Sequence, residues 1–446
     1  MRDARREERL IFPVFLLILP SRLPGVGFIT ISNSNKQDIQ MSRPIKVGIT
    51  HGDFNGVGYE VILGALANED ILDLCTPVVF GFHAMAEKCR RQLGLEDMKL
   101  HRAESAFNAH PGRITVIDVD KNMPELTPGR PSPESGKAAV AALRAAVEAL
   151  KKGSIDVLVT APISKEAVQS DSFHFPGHTE FLEAETGDGA KARMILFGNN
   201  IRVALVSTHL PISKVAESVT SESVGEAIRS LDISLQKDFG FDRPKIAVLS
   251  LNPHAGDGGL LGTEEKDVIA PAIVEAREKG ILAFGPFAAD GFFGLGDYLK
   301  FDGVVAMYHD QGLAPFKSLA GQHGVNFTAG LPFVRTSPDH GTAFGIAWKG
   351  EADPTSMREA IYSAIDIFRR RAIFNKASSN PLKKYLVEKP DKGERMERQP
   401  KTTSARSTDD RKQKDASEDR KPKDAPEGLQ PEEDSEPDTT TETKES

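Results

Sequence analysis

Between about residues 45 and 374, short β-branched runs alternate with longer amphipathic stretches, the pattern of a layered α/β protein. The apolar runs predict strands over Ile45 to Thr50, Thr76 to Gly81, Arg113 to Val119, Asp156 to Thr160, Ile201 to Ser207, Lys245 to Ser250 and Gly303 to Met307. Helical periodicity predicts a helix from about Pro133 to Lys152. Ser132 can cap its first turn, Pro133 suits the first helical position, and Lys151, Lys152 and Gly153 favour the stop. Further helices are predicted over Ser221 to Phe239, Glu264 to Lys279 and Ser356 to Arg371. The body shows no internal repeat and no Pro/Gly/Ser linker, so two lobes would have to share one sheet or interleave.

The two ends break this pattern. Arg2, Arg5, Arg6 and Arg9 precede an apolar run from Leu10 to Leu19, like the first regions of a secretory signal. Pro13 and Pro20 interrupt it, no small-residue cleavage site follows promptly, and it falls short of the roughly 20 residues that span a bilayer. The preferred expectation is translation from Met41, with residues 1–40 a dispensable or misassigned leader, then a body over 41–389. From residue 390 to 446 charged residues, Ser, Thr and Pro dominate with almost nothing apolar, a composition expected to be a disordered charged tail.

Composition narrows the function. At 446 residues and 39% hydrophobic, the chain can bury an enzyme-sized core. A formal charge of -8 without a basic face argues against a nucleic-acid partner, and no segment argues for a membrane one, so an anionic ligand would need local positive charge. Cys75 and Cys89 form neither a disulfide framework nor a C-x-x-C pair, which suits a reducing cytoplasm.

Candidate chemistry collects after the predicted strands, where loops on an α/β scaffold carry function. The Gly-rich stretch Thr50 to Glu60 reads equally as an anion-facing turn at a helix N-terminus or as a structural turn. In Phe175 to Phe181, His178 and Thr179 can hold a phosphate or hydroxyl, or serve as ordinary capping. His209, His254 and His309 each follow a predicted strand. Taken singly each reads as a surface or core residue, but if the strand ends meet, three imidazoles leave open positions on a divalent ion. Lys317, Asn326 and Arg335 supply positive charge and donors for a phosphate or carboxylate, with surface ion pairs as the bland reading of the two cations.

These segments, in this order from about Ile45 to Phe374, resemble the 4-hydroxythreonine-4-phosphate dehydrogenase family. The motifs are T-A-P-I at Thr160 to Ile163, G-H-T-E at Gly177 to Glu180, N-P-H-A-G at Asn252 to Gly256, Y-H-D-Q-G at Tyr308 to Gly312 and L-P-F-x-R-T-S at Leu331 to Ser337. The resemblance implies a layered α/β/α fold of the isocitrate/isopropylmalate dehydrogenase type, with two lobes sharing a cleft. It implies that His209, His254 and His309 bind a divalent metal, zinc first, with magnesium or cobalt as alternatives. Substrate would be bound by His178, Thr179, Lys317, Asn326 and Arg335, in a homodimer whose site takes one metal histidine from the partner chain. The implied reaction oxidises 4-phosphohydroxy-L-threonine with NAD, or NADP, and decarboxylates it to 3-amino-2-oxopropyl phosphate in vitamin B6 biosynthesis. Asp310, Asp290 and Lys317 stand as candidate catalytic bases. The chain departs from the family pattern at Phe54, Asn55 and Gly291, and at Gly345 and Trp348 in a loop that analogy places by the adenosine half of the cofactor.

Two competing readings use the same residues. A dehydrogenase of 4-phospho-threonate or 4-phospho-erythronate would need the same metal and phosphate site. A metal-dependent phosphohydrolase would release inorganic phosphate and ignore NAD.

Overall fold

A computed structural model describes residues 43–170, 173–187 and 189–381. The expectations for residues 1–40 and 390–446 lie outside the described residues. Among the described residues, twelve strands form one sheet: β1 (Ile45–Thr50), β2 (Cys75–Gly81), β3 (Leu100–Ala103), β4 (Ile114–Asp118), β5 (Val157–Thr160), β6 (Arg193–Gly198), β7 (Ile201–Leu205), β8 (Lys245–Leu249), β9 (Leu282–Phe287), β10 (Gly303–Ala306), β11 (Val325–Ala329) and β12 (Val334–Pro338). The spatial order is β3-β4-β2-β1-β5-β12-β11-β6-β7-β10-β8-β9. The first six strands run parallel to one another, as do the last four. β11 and β6 join these wings through antiparallel pairings on both sides, so the wings run in opposite directions. This is a mixed α/β fold built on one continuous sheet.

Helices cover both faces, which is why strands such as β2, β5 and β8 read as near-continuous apolar runs. In β2, Val78 and Phe80 pack with Ala142, Leu143 and Ala146 of helix Pro133–Lys151. Val79, between them, points the other way, into a core shared with Val47 and Ile49 of β1, helix Gly58–Leu66 and helix Thr355–Ser378. In the other wing, Leu313 and Phe316 of helix His309–Ala320 pack on Val203, Leu205 and Ala247.

The seven predicted strands are present, most of them a residue or two shorter. Helix Pro133–Lys151 begins as expected, and its cap is a full box in which Ser132 and Ser135 bond reciprocally. The expected single helix over Glu264 to Lys279 differs: a π-turn over Glu265–Ile269 precedes helix Ala270–Glu278. Pro271 lacks an N–H for the carbonyl four residues back, and the wider turn accommodates that gap.

The Gly-rich stretch after β1 is a structural turn. Residues 50–60 are buried throughout, and the oxygens of Asp53, Asn55 and Glu60 accept hydrogen bonds from the chain itself, while Thr50 Oγ1, both His51 ring nitrogens and Asn55 Nδ2 make none. Asp53 accepts from the Asn55 N–H at 3.0 Å and from the Ser135 hydroxyl at 2.9 Å, while Asn55 accepts from the Thr127 N–H at 2.8 Å. Trp348 closes the turn. Its indole N–H donates to Phe54 O at 2.8 Å, and its backbone N–H to the buried Glu60 carboxylate at 2.6 Å.

Candidate functional site

Strand parity builds the floor of a cleft at the junction of the wings. The register pairs Arg335 of β12 with Leu158 of β5, Asn326 of β11 with Ser337 of β12, and Thr328 with Met194 of β6. Paired residues share a face and alternate residues return to it, so Thr160, Arg335, Ser337, Asn326, Thr328 and Met194 point to one side. The opposite side is apolar and carries helix Thr355–Ser378, to which Thr336 is tied through Ala360 O at 2.8 Å. Thr160, Lys165, His178, Thr179, Glu180, His209, Asn326, Arg335 and His340 are among the residues lining the resulting cleft of about 240 Å³.

Arg335 is its anchor. The side chain is 3% exposed, and every hydrogen bond it makes is to a neutral hydroxyl. Nε and Nη2 donate to Thr160 Oγ1 at 3.2 and 2.6 Å, and Nη1 to Thr328 Oγ1 at 2.9 Å. No carboxylate forms an ion pair with it among the described residues. Burial pulls its pKa down to about 10, which leaves it protonated near neutrality. A buried guanidinium without a counter-ion is costly and favours an anion supplied from outside. Beside it, Asn326 Oδ1 and His340 Nε2 are buried without hydrogen-bond partners.

Helix His178–Thr186 opens at the cleft. Its N-cap, Gly177, makes no side-chain cap bond, so the capping alternative for this motif is not what the structure shows. Burial, together with the Arg335 and Lys165 charges, holds His178 well below the ordinary histidine range. A neutral imidazole therefore faces the anion pocket.

Hydrogen bonds from Val206 N and Ser207 N to Ala306 O and Met307 O extend the β7–β10 pairing, so the two strands release Thr208–His209 and Tyr308–His309 side by side. The His209 and His309 rings lie 6.1 Å apart, centroid to centroid. Desolvation, then the Lys165 cation, lowers the His209 pKa. His309 Nδ1 hydrogen-bonds Asp310 Oδ1 at 2.7 Å, a contact that engages Nδ1 and not Nε2. The rest of the Y-H-D-Q-G motif sets this geometry. Gln311 accepts from Met307 N at 2.7 Å and donates to Ser250 O at 2.6 Å, clamping the ends of β10 and β8. A Cβ on Gly312 would lie 2.8 Å from Leu205 Cδ2, 2.9 Å from Val203 Cγ1 and 3.0 Å from Ala306 Cβ, so glycine lets this helix sit close to β7 and β10 without displacing them.

His254 is not part of this pair. Among the described residues no three His, Cys, Asp or Glu side chains gather as a metal would require. His254 is exposed, on a loop where His254, Ala255 and Asp257 all have left-handed backbone, with φ of 51°, 51° and 42°. That conformation is strained for non-glycine residues. The Glu265 carboxylate enforces it by accepting from Leu251 N, Asn252 N and Asn252 Nδ2 at 2.8, 2.7 and 3.0 Å. The loop thus holds an imidazole outward into solvent.

The remaining expected residues sit at the margins. Lys317 Nζ donates to Asp339 O at 3.1 Å and lies 3.5 Å from Asp339 Oδ2, next to His340. Asp290 is exposed at the start of helix Ala289–Gly294 and is not among the residues lining the cleft. Trp348 is 7% exposed and packed on the body, so its ring is not free to stack on adenine; Gly345 and Ile346 are what this loop exposes. Lys165, Glu180, Thr328 and His340 had no assigned role from sequence. Parity along β11 and β12 would have found Thr328, but neither strand was predicted.

Residues 73–364 match the family model described as pyridoxal phosphate biosynthetic protein PdxA. A protein named 4-hydroxythreonine-4-phosphate dehydrogenase from Bacteroides thetaiotaomicron is 51% identical over 352 residues, spanning 79% of this chain and 96% of that protein. A protein from Oceanobacillus iheyensis, provisionally named D-threonate 4-phosphate dehydrogenase, is 41% identical over 330 residues, 73% of this chain and 99% of that one. The crystal structure of a 4-hydroxythreonine-4-phosphate dehydrogenase from Klebsiella pneumoniae superposes with a TM-score of 0.62 at 35% identity, covering 73% of this chain and 98% of that one. With these similarities along nearly all of the described fold, the chain belongs to the PdxA family of pyridoxal phosphate biosynthetic proteins.

Proposed function

We propose that this protein is a 4-hydroxythreonine-4-phosphate dehydrogenase: it oxidises 4-phosphohydroxy-L-threonine and decarboxylates the product to 3-amino-2-oxopropyl phosphate, a step toward pyridoxal phosphate. The observation that carries this reading is the buried, unpaired Arg335 guanidinium beside the His209–His309 pair, which sets an anion anchor next to a place for oxidation chemistry. The 51% identical relative bears the same name.

Arg335, with Asn326, Thr179 and Lys317, binds the phosphate. His178 stays neutral and offers a hydrogen bond at the cleft wall rather than a charge. His209 and His309, joined by His254 of a second copy, suit a divalent cation, zinc by their imidazole character and magnesium or cobalt as alternatives. The Asp310 bond that engages His309 Nδ1 and not Nε2, and the outward-held His254, support that donor set. When bound, such a cation lowers the pKa of a substrate hydroxyl and polarises the ketone formed from it, favouring loss of carbon dioxide. A nicotinamide cofactor, NAD first and NADP second, supplies the hydride acceptor. The working unit is a homodimer, because one chain presents only two of the three imidazoles at the cleft, and it operates in the cytoplasm, where the free buried Cys75 and Cys89 stay reduced. No helix among the described residues is long and apolar enough to cross a membrane.

The second reading, a D-threonate 4-phosphate dehydrogenase, is favoured by the Oceanobacillus relative. Substrate choice separates the two. With 4-phosphohydroxy-L-threonine the account expects one NADH and one carbon dioxide per turnover, whereas turnover of 4-phospho-threonate alone would overturn it. Release of inorganic phosphate without NADH would indicate a hydrolase instead.

A further inference from the structure

The loop that carries His254 is built around one buried side chain. Residues 254–258 all have left-handed backbone, and His254, Ala255 and Asp257 among them carry side chains that rarely tolerate it. Such a run persists only where the surroundings over-determine it. Glu265 does so from beneath. It is 5% exposed, no cation pairs with it among the described residues, and the three bonds it accepts come from the chain that launches the loop. Leu251 N and Asn252 N reach Oε1 at 2.8 and 2.7 Å, and Asn252 Nδ2 reaches Oε2 at 3.0 Å. Gly256 closes over the same group, since a Cβ there would lie 2.6 Å from Glu265 Oε2. The carboxylate itself is set by the π-turn Glu265–Ile269, which begins at this residue and turns both of its end residues inward.

This seat is tied to the His309 segment. Gln311 Nε2 donates to Ser250 O at 2.6 Å, the Ser250 hydroxyl donates to Asn252 O at 2.9 Å, and Asn252 N ends on Glu265. A connected path therefore runs from two residues beyond His309 to the carboxylate under His254. A loop that had only to be closed would not need a buried charge without a counter-ion, nor left-handed backbone at three side-chain-bearing residues. What the arrangement fixes is direction, because His254 stands exposed at its tip. Resting on the three-histidine cation site proposed above, we propose that Glu265 is a positioning residue for that site, holding the backbone from which His254 presents its imidazole to a second copy of the chain. Glu265 does not touch the cation and acts through the loop. An imidazole already set in place loses little freedom on ligating, whereas one on a relaxed loop must be ordered as it binds.

The test compares full-length wild type, Glu265→Gln and His254→Ala, each checked for oligomeric state by mass. Zinc affinity is measured in competition with a chromophoric chelator, and the visible absorption of the cobalt-loaded protein reports the ligand set. Glu265→Gln preserves volume and one acceptor oxygen but turns an amide N–H₂ toward Asn252 Nδ2. Its zinc affinity should fall at least about tenfold, and its cobalt absorption should move toward that of His254→Ala. Asn252→Ala removes one of the three bonds and leaves the carboxylate. It should shift both readouts in the same direction by less, and it decides the matter if Glu265→Gln does not assemble. Zinc affinity and cobalt absorption like those of wild type, with stability alone lowered, would overturn the positioning role. Wild type that binds no zinc, or His254→Ala that binds it as wild type does, would overturn the three-histidine reading itself, so the two failures are distinguishable.

Discussion

Arg335 supplies both charge and fork geometry to the cleft, and two substitutions separate these contributions. Arg335→Lys keeps the charge but cannot bond Thr160 and Thr328 while also facing a phosphate, so kcat/KM should fall about 10- to 100-fold, mostly through KM. Arg335→Met should fall further and lose competitive inhibition by inorganic phosphate. Retention of that inhibition would place the anion site elsewhere. A second residue-scale prediction concerns pH. His51 is fully buried, stacked on Tyr59 with ring centroids 5.5 Å apart, and neither ring nitrogen is hydrogen-bonded. Burial lowers its pKa from 6.5 to about 4, so below pH 6.5 the unfolded chain takes up a proton that the folded protein refuses. Stability should therefore be full above that value and decline by about 1.4 kcal/mol per pH unit as pH falls through the window between the two, with His178 acting in the same direction. Denaturant unfolding of wild type and His51→Phe at about pH 7 and about pH 5 checks this. The variant should show a smaller difference between the two pH values, and an equal one would count against the assignment.

At the scale of elements, helix Pro133–Lys151 is tied to the turn after β1 by a single hydroxyl that serves two purposes. Ser132→Ala removes one half of the capping box and should cost about 1 kcal/mol in denaturant unfolding. Ser135→Ala should cost more, about 2 kcal/mol, because it also strips a donor from the buried Asp53 carboxylate. Equal costs would mean the Asp53 contact contributes nothing. The same elements explain what the sequence made legible. β2, β5 and β8 are buried along nearly their whole length and carry the apolar runs Val78 to Phe80, Val157 to Val159 and Ile246 to Leu249, while β1 alternates Ile45, Val47 and Ile49 with Lys46, Gly48 and Thr50. β11 and β12 do not stand out as strands in the sequence, because alternate positions, Asn326, Thr328, Arg335 and Ser337, face the cleft and dilute the apolar signal. β9 was hidden by its Gly285 and Pro286, and β3 by brevity and its polar edge residues His101 and Arg102. The cleft residues His178 and Arg335 stand in recognisable motifs, whereas the face that Arg335 shares with Asn326 is set by strand register.

For the whole molecule, the proposed three-histidine site would need two chains, since His209 and His309 meet and His254 is held outward. Mixing inactive His254→Ala and His309→Ala proteins should then restore activity, because each hybrid dimer has one intact site. With random reassortment the recovery should approach about one quarter of wild type. No recovery, with reassortment shown by mass, would mean that each chain builds its site alone. The account as a whole is tested most directly by following NADH formation from 4-phosphohydroxy-L-threonine before chelation, after it, and after zinc is restored. It predicts turnover that chelation abolishes and zinc returns; no NADH under any condition, or turnover indifferent to chelation, would contradict it.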